Sequence, residues 1–325
     1  MNKYSLMRMI GIAMLLAAVG SAASAQQAYP SKPIRFIVPY PPGGSTTPIA
    51  RLVSQKLSET WGQPVIVDNR PGGNTIIGTD ALAKSAPDGY TVGMVGNVHV
   101  LMPSLLRAPY DPLKDFTPVA TLTSNEAVLV VNPSVQANNL QELIALAKAK
   151  PGQLNHASSG TGSLAHLGIE LFNTMTGTKI QNIPYKGSGQ SMTDLLGGQV
   201  QLALNIPSNV IPHIRSGRLR AIAVTGNARM SALAEVPTFA EAGLPGFALR
   251  YWYAVLAPAG APKPIVDKLS AEITRIMSVA DTREKLHNQG MEAFISTPDQ
   301  FGALMKADMA RFAKIIKSAN IKIDE

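Results

Sequence analysis

Short apolar runs punctuate this chain, and between them apolar positions recur every three or four residues. The runs at Ile34–Val38 and at residues 65–67, 90–95 and 127–131 have the length and β-branched content of strands. Residues 48–59, 76–85 and 140–149 show helical spacing, and turn signals such as Pro87-Asp88-Gly89 and Pro151-Gly152 close the last two. Strands alternating with helices predict a mostly parallel sheet with helices packed on its faces.

The same grammar then restarts. Residues 156–157 lead into a Ser/Gly turn, and residues 164–175 carry apolar side chains at helical spacing. Strands are expected at 181–184, 202–204, 220–224 and 251–256, a short helix at 191–196, and amphipathic helix after Pro264. The expectation is an α/β chain of two lobes, each a mostly parallel sheet flanked by helices. Residues 26–124 and 250–325 would form lobe 1 and residues 125–249 lobe 2. A chain that leaves one lobe and later returns to it crosses twice, which predicts a two-strand hinge near residues 121–125 and 246–252 and a ligand in the cleft between lobes.

Composition changes this picture at the start of the chain. Lys3 and Arg8 precede an apolar run from Met9 to Val19, and Ala23-Ser24-Ala25 fits a small-x-small cleavage site. Residues 1–25 read as a signal peptide cleaved after Ala25, which predicts export and, in a Gram-negative cell, the periplasm. The run is shorter than the ~20 residues a bilayer span needs. The chain has no cysteine. Disulfides, a cysteine nucleophile, cysteine-based zinc sites and a lipidated cysteine are excluded together. The formal charge of +8 falls to +6 without Lys3 and Arg8. That balance suits an anionic ligand, but the basic residues are scattered and lack interleaved aromatics, which argues against nucleic acid.

Four turns follow strands and open helices, where α/β proteins hold ligands. The first holds Tyr40, Pro42, Gly43, Gly44, Ser45, Thr46 and Thr47. Its glycines permit close backbone approach, and the free amides of a helix start favour negative charge. The second holds Asn97, Val98 and His99. The third is Ser158-Ser159-Gly160-Thr161-Gly162-Ser163. The fourth starts at Tyr185, and Asn205 ends a further strand. Ordinary capping and turn chemistry would explain any one of them alone.

Other chemistry is thinly supported. Gly160, Gly162 and Ala165 fit a dinucleotide pattern, but the next strand supplies Asn182 where an acid is needed. There is no phosphate-loop signature, no Gly-x-Ser-x-Gly elbow and no metal-ligand spacing among the five histidines. His166, near a helix start, reads first as a packing or capping residue, and Glu170 and Asp194 as solvated or capping acids. No cofactor is expected.

Several ordered motifs carry a resemblance. They are residues 38–44 with Ala50-Arg51, Val67-Asp68-Asn69-Arg70-Pro71-Gly72-Gly73, and Pro87-Asp88-Gly89-Tyr90-Thr91. Ser158 to Gly162 with His166, Pro184-Tyr185-Lys186-Gly187, residues 194–200 and Ala257-Pro258-Ala259-Gly260 complete the series. Over nearly its whole mature length the chain resembles the Bug proteins, the extracytoplasmic binding proteins of tripartite tricarboxylate transporters. The resemblance implies a two-lobed, type II-like periplasmic binding protein without enzymatic activity that closes on a small carboxylate. It also implies carboxylate capture by backbone amides and water at the Gly43-Gly44 and Ser158–Ser163 turns, with membrane transporter subunits as partners and a monomer in solution. The chain departs from the family pattern where Thr47 stands, a position at which the family usually carries aspartate, and where Asn205 stands, at which it often does. Two fewer acids remove partners for an ammonium group and favour a plain dicarboxylate or an aromatic acid. A ligand-dependent sensor subunit is the alternative, and an exported hydrolase a weaker one for want of a nucleophile–base pair.

Overall fold

The computed structural model describes residues 29–42, 46–185, 188–287, 291–318 and 320–321. In chain order, β1 (Ile34–Val38), α1 (Thr46–Trp61), β2 (Val65–Asn69), α2 (Ile76–Ala83), β3 (Thr91–Gly96), α3 (Val98–Leu101) and β4 (Phe116–Glu126) come first. Next are β5 (Val128–Val131), α4 (Leu140–Ala149), β6 (Asn155–Ser158), α5 (Leu164–Thr176), β7 (Gln181–Pro184), α6 (Ser188–Leu196), β8 (Leu202–Asn205), α7 (Pro207–Arg215) and β9 (Arg220–Val224). The chain ends with β10 (Arg250–Pro258), α8 (Lys263–Ser278), α9 (Ala280–His287), β11 (Glu292–Ala293) and α10 (Pro298–Ser318).

These strands build two sheets. One has six strands in the order β11-β4-β10-β3-β1-β2, the other five in the order β7-β6-β8-β5-β9. The mostly parallel expectation holds for β1 with β2 and β3, and for β6 with β7 and β8. The strands nearest the crossings are antiparallel: β10 to β3 and β4, and β5 to β8 and β9. Each sheet is therefore mixed, because a strand arriving from the other sheet need not run with the local βα units.

β4 is the long strand that periodicity did not announce. It carries Pro118, which lacks the N–H a central strand needs. The pairing with β10 slips between Val255 and Leu256, beside Pro118, and again between Tyr253 and Ala254. On its other side β4 meets β11 only at Ser124 and Thr123. Pro118 thus sits at a bulge with one open edge, where its missing donor costs no ladder bond.

The chain crosses between the sheets twice. β4 ends at Glu126 and β5 begins at Val128, so Ala127 is the first crossing point. The return passes Thr225 and re-enters at Arg250, which pairs with Glu126. Thr225 ties the two passages together: its N–H donates to Ala127 O at 2.9 Å, its Oγ1 accepts from Ala127 N at 2.8 Å and donates to Leu249 O at 2.5 Å. Helix α10 packs on both β4 and α5, so it spans the two sheets. One apolar cluster follows it, running from Val95 and Trp252 through Phe301 to Leu129 and Phe172. Two further clusters fill the faces remote from this junction, around Phe36 and Leu269 in one lobe and Val130 and Val210 in the other.

Candidate functional site

Two cavities lie between the sheets at the carboxyl ends of β1, β6 and β8, and they meet at Ser159. The larger, about 410 Å3, is walled by Pro39, Tyr40, Gly72, Asn74, Thr75, Val98 and Met102 on one side and Ser159 to Ser163 on the other. The smaller, about 170 Å3, continues from Ser159 past Ala165, Ser191, Asn205 and Asn209 to Tyr251 and Tyr253. One larger hollow, of about 530 Å3, lies between α8 and α10, lined by Leu113, Pro118, Lys263, Asp267 and Met305 and by no residue of the second lobe. No charged side chain lines the inter-lobe cleft among the described residues.

The second-lobe wall is a turn held rigid by its own hydrogen bonds. Gly160 (φ +133°) and Gly162 (φ +75°) occupy backbone conformations that L side chains rarely adopt. Ser163 N–H donates to Gly160 O at 3.1 Å, and Ser163 Oγ accepts from His166 N at 3.3 Å as the N-cap of α5. Gly162 N–H donates to Nδ1 of the buried His166 at 3.0 Å. The His166 Nε2 lies 3.7 Å from Glu170 Oε1. Ser158 is fully buried and braces the turn from below, its Oγ donating to Gly160 O at 3.2 Å. With these groups committed, the N–H groups of Ser159, Thr161, Leu164 and Ala165 have no partner among the described residues. Four free donors at a helix start, against a neutral wall, favour an anion.

The first-lobe wall is built differently. Asn69 Nδ2 donates to Tyr40 O at 2.9 Å and anchors the strand-end turn. The Tyr40 ring meets Tyr253 edge to face at 5.9 Å, and burial raises its hydroxyl well above the ordinary tyrosine range. Asn74 (φ +51°) and Thr75 (φ +77°) are left-handed, although neither is glycine. For a β-branched residue this is strained, and it sits on the cleft wall. Sequence reasoning did not single out either residue. The Gly72-Gly73 pair just before them is the one local signal of an unusual turn.

The structure sorts the candidate residues. Ser159, Gly160, Thr161, Gly162, Ser163, Tyr40, Val98 and Asn205 line the cleft. Asn205 Oδ1 accepts from Ile206 N at 2.8 Å and Asn209 Nδ2 at 3.0 Å, which turns its amide edge toward α7. Gly43, Gly44 and Ser45 lie outside the described residues. Pro42 is exposed beside them, Thr46 is buried within α1, and Thr47 is half-buried; none of the three lines the cleft.

Three further candidates have their side chains engaged by other partners and line neither cavity. Asn97 is a buried strut: its Oδ1 accepts from Trp252 N at 2.8 Å and its Nδ2 donates to Arg250 O at 3.1 Å and Asp308 Oδ2 at 3.3 Å. His99 points into the core, its Nε2 2.8 Å from Pro112 O and its ring stacked on Tyr110, and burial pushes its pKa down to about 4. Tyr185 donates its hydroxyl to Asp194 Oδ2 at 2.8 Å within its own lobe, so it braces α6. Burial and that acceptor together raise its pKa to about 12.

Known proteins agree with this architecture. The sequence model of the tripartite tricarboxylate transporter family receptor matches residues 49–321. Protein BugT of Bordetella pertussis is 40% identical, over 99% of this chain and 100% of its own length. The structure of R. palustris Rpa4515 with adipate is similar at a TM-score of 0.80 and 34% identity, covering 90% of this chain and 99% of that one. MatC from Rhodopseudomonas palustris with bound malate is similar at 0.77 and 30% identity, covering 89% and 100%. The chain belongs to the receptor family of the tripartite tricarboxylate transporters, the Bug group of periplasmic solute-binding proteins.

Proposed function

We propose that this chain captures a small carboxylate, an aliphatic dicarboxylate or an aromatic acid, in its inter-lobe cleft and delivers it to the membrane subunits of a tripartite tricarboxylate-type transporter. The observation that carries this reading is the uncharged cleft wall on which the backbone N–H groups of Ser159, Thr161 and Ala165 have no partner among the described residues. An anion placed there meets donors without a fixed cation among the described residues, so charge and shape are read by the backbone. Tyr251, Tyr253, Leu204 and Ile206 supply an apolar continuation for a carbon skeleton. Asn205 offers no negative charge to an ammonium group, which disfavours amino acids. The adipate and malate complexes of the two relatives support the same ligand class.

The reading takes residues 1–25 as an export signal cleaved after Ala25 and the mature chain as a periplasmic monomer. Residues 26–124 and 250–325 act as one lobe and 125–249 as the other, hinged at the Thr225 clamp. A thermal-shift panel of adipate, malate, citrate, benzoate and aspartate tests it. A matching acid at a hundred times its dissociation constant should stabilise the fold by about 2.7 kcal/mol. If none of the acids raises the melting temperature, carboxylate capture is wrong. If aspartate outperforms malate, the argument from Asn205 fails.

A further inference from the structure

The second-lobe turn depends on a bond from backbone to imidazole. Gly162 lies between two of the free donors, Thr161 and Leu164, and its own N–H is turned inward to His166 Nδ1 at 3.0 Å. A nitrogen that accepts carries a lone pair, so His166 is the neutral tautomer with its proton on Nε2, facing Glu170 Oε1 at 3.7 Å. Protonation would set two donors against each other at that distance. The Gly162 peptide would then have to rotate, and the amides flanking it would turn with it.

We infer that His166 is a positioning residue for anion capture: its imidazole, accepting at Nδ1, fixes the Gly162 peptide so that the Ser159 and Thr161 amides face the cleft. This rests on the carboxylate reading above.

The surroundings of His166 leave Nδ1 as the reporting atom. Glu170 on its own helix faces Nε2 and not Nδ1. From β6, His156 is buried, with Nε2 accepting from Leu204 N at 3.1 Å and Nδ1 3.4 Å from Asn182 Oδ1. Burial holds its pKa at about 4, so it is neutral where capture is at issue. From α10, which packs on α5, Asp308 and Arg311 are paired with each other at 3.0 Å and tied to Trp252 and Ala248.

Three variants separate positioning from mere packing, with adipate as the probe in titration calorimetry. Asn places an amide oxygen as many bonds from Cα as Nδ1 and cannot take a proton there. Gln reaches the Nε2 position instead, and Leu fills space without accepting. His166→Asn should bind adipate within about threefold of wild type at pH 7.5, while His166→Leu and His166→Gln lose at least tenfold with unchanged unfolding midpoints. Equal binding by the Asn, Gln and Leu variants would overturn the inference. Failure of wild type to bind adipate or any acid of the panel would overturn the functional reading. In that case imidazole nitrogen NMR of the unliganded chain still decides: a proton on Nε2 with Nδ1 accepting upholds the built turn, and a proton on Nδ1 overturns it.

Discussion

The turn after β3 and the turn after β6 look alike in sequence and do opposite things. Each follows the carboxyl end of a parallel strand, opens a helix and carries a histidine and neutral polar side chains. After β3, the polar groups are turned inward. Asn97 satisfies the Trp252 N–H and Arg250 carbonyl of the neighbouring strand, and His99 stacks in the core against Tyr110 and Phe116. After β6, the side chains of Ser158, Ser163 and His166 hold the turn itself, and the backbone donors of Ser159 and Thr161 remain for something else. A strand end is thus a permissive position. What distinguishes a site is whether its donors are already matched, because a matched donor has no further stabilisation to offer a ligand.

The largest expected effect tests the neutrality of the cleft. In Asn205→Asp a carboxylate enters a wall that holds no described charge. Two like charges ~4 Å apart at an effective dielectric of 20 repel by about 4 kcal/mol. Affinity for the captured acid should fall by at least a hundredfold at low salt and recover partly as salt rises. Unchanged binding at both ionic strengths would put the ligand charge elsewhere.

Next comes the acid response of the inward turn. Burial lowers the folded-state pKa of His99 to about 4 against an ordinary 6.5. The unfolded chain therefore binds a proton that the folded chain refuses, and stability is lost as pH falls from about 6.5 to about 4. One such histidine contributes about 3 kcal/mol over that window. Replacing it in His99→Phe should flatten the pH dependence of the unfolding free energy by that amount, while adipate affinity at pH 7.5 stays unchanged. A large loss of affinity in this variant would return His99 to the cleft.

How much of this was legible follows the same division. β7, β9 and α4 keep the bounds expected of them, since turn-forming residues fence their apolar runs. β4 was not legible, since Pro118 and the polar stretch Thr121 to Glu126 hide a strand whose irregularities are absorbed by bulges. Helix α7 was missed for a related reason, its two prolines reading as breakers although Pro207 sits at a helix start. In the cleft, Gly160 and Gly162 announced a backbone that only glycine favours. The inward rotation of Asn97 and His99 had no local signal, because their partners Trp252, Asp308 and Pro112 come from other parts of the sequence. Asn74 and Thr75 were hidden as well: a left-handed threonine is imposed by its surroundings and not by its own preference.

A smaller effect is expected where backbone shape alone is changed. A Cβ at Gly160 meets nothing nearer than Tyr185 O at 3.7 Å, so space is not the obstacle. The obstacle is φ +133°, a region that costs an L residue of order 1–3 kcal/mol. Gly160→Ala should lower stability by about 2 kcal/mol, or shift the peptide to relieve strain and lose about tenfold in affinity. Denaturant titration and calorimetry on one preparation distinguish the two routes. An alanine that costs neither would mean the turn adopts another backbone conformation in solution.

The smallest effect is expected at Thr47, although the family resemblance gave it the same weight as Asn205. The resemblance implies aspartate in the family at both positions, but the structure places them in different settings. Asn205 lines the cleft, whereas Thr47 is half-buried in the first turn of α1 and is absent from the described wall. A carboxylate in a helix's first turn meets the positive end of the macrodipole and gains ~0.3–1 kcal/mol. That gain would offset the loss of whatever contact the threonine hydroxyl now makes. Thr47→Asp should therefore leave the unfolding free energy within ~0.5 kcal/mol of wild type and change adipate affinity less than threefold. The test is sharp because the two substitutions are chemically the same. If Thr47→Asp weakens binding as much as Asn205→Asp does, the cleft extends across the start of α1 and both lobes read the ligand's charge. If Asn205→Asp alone does so, the second lobe discriminates and the first only closes over what it has chosen.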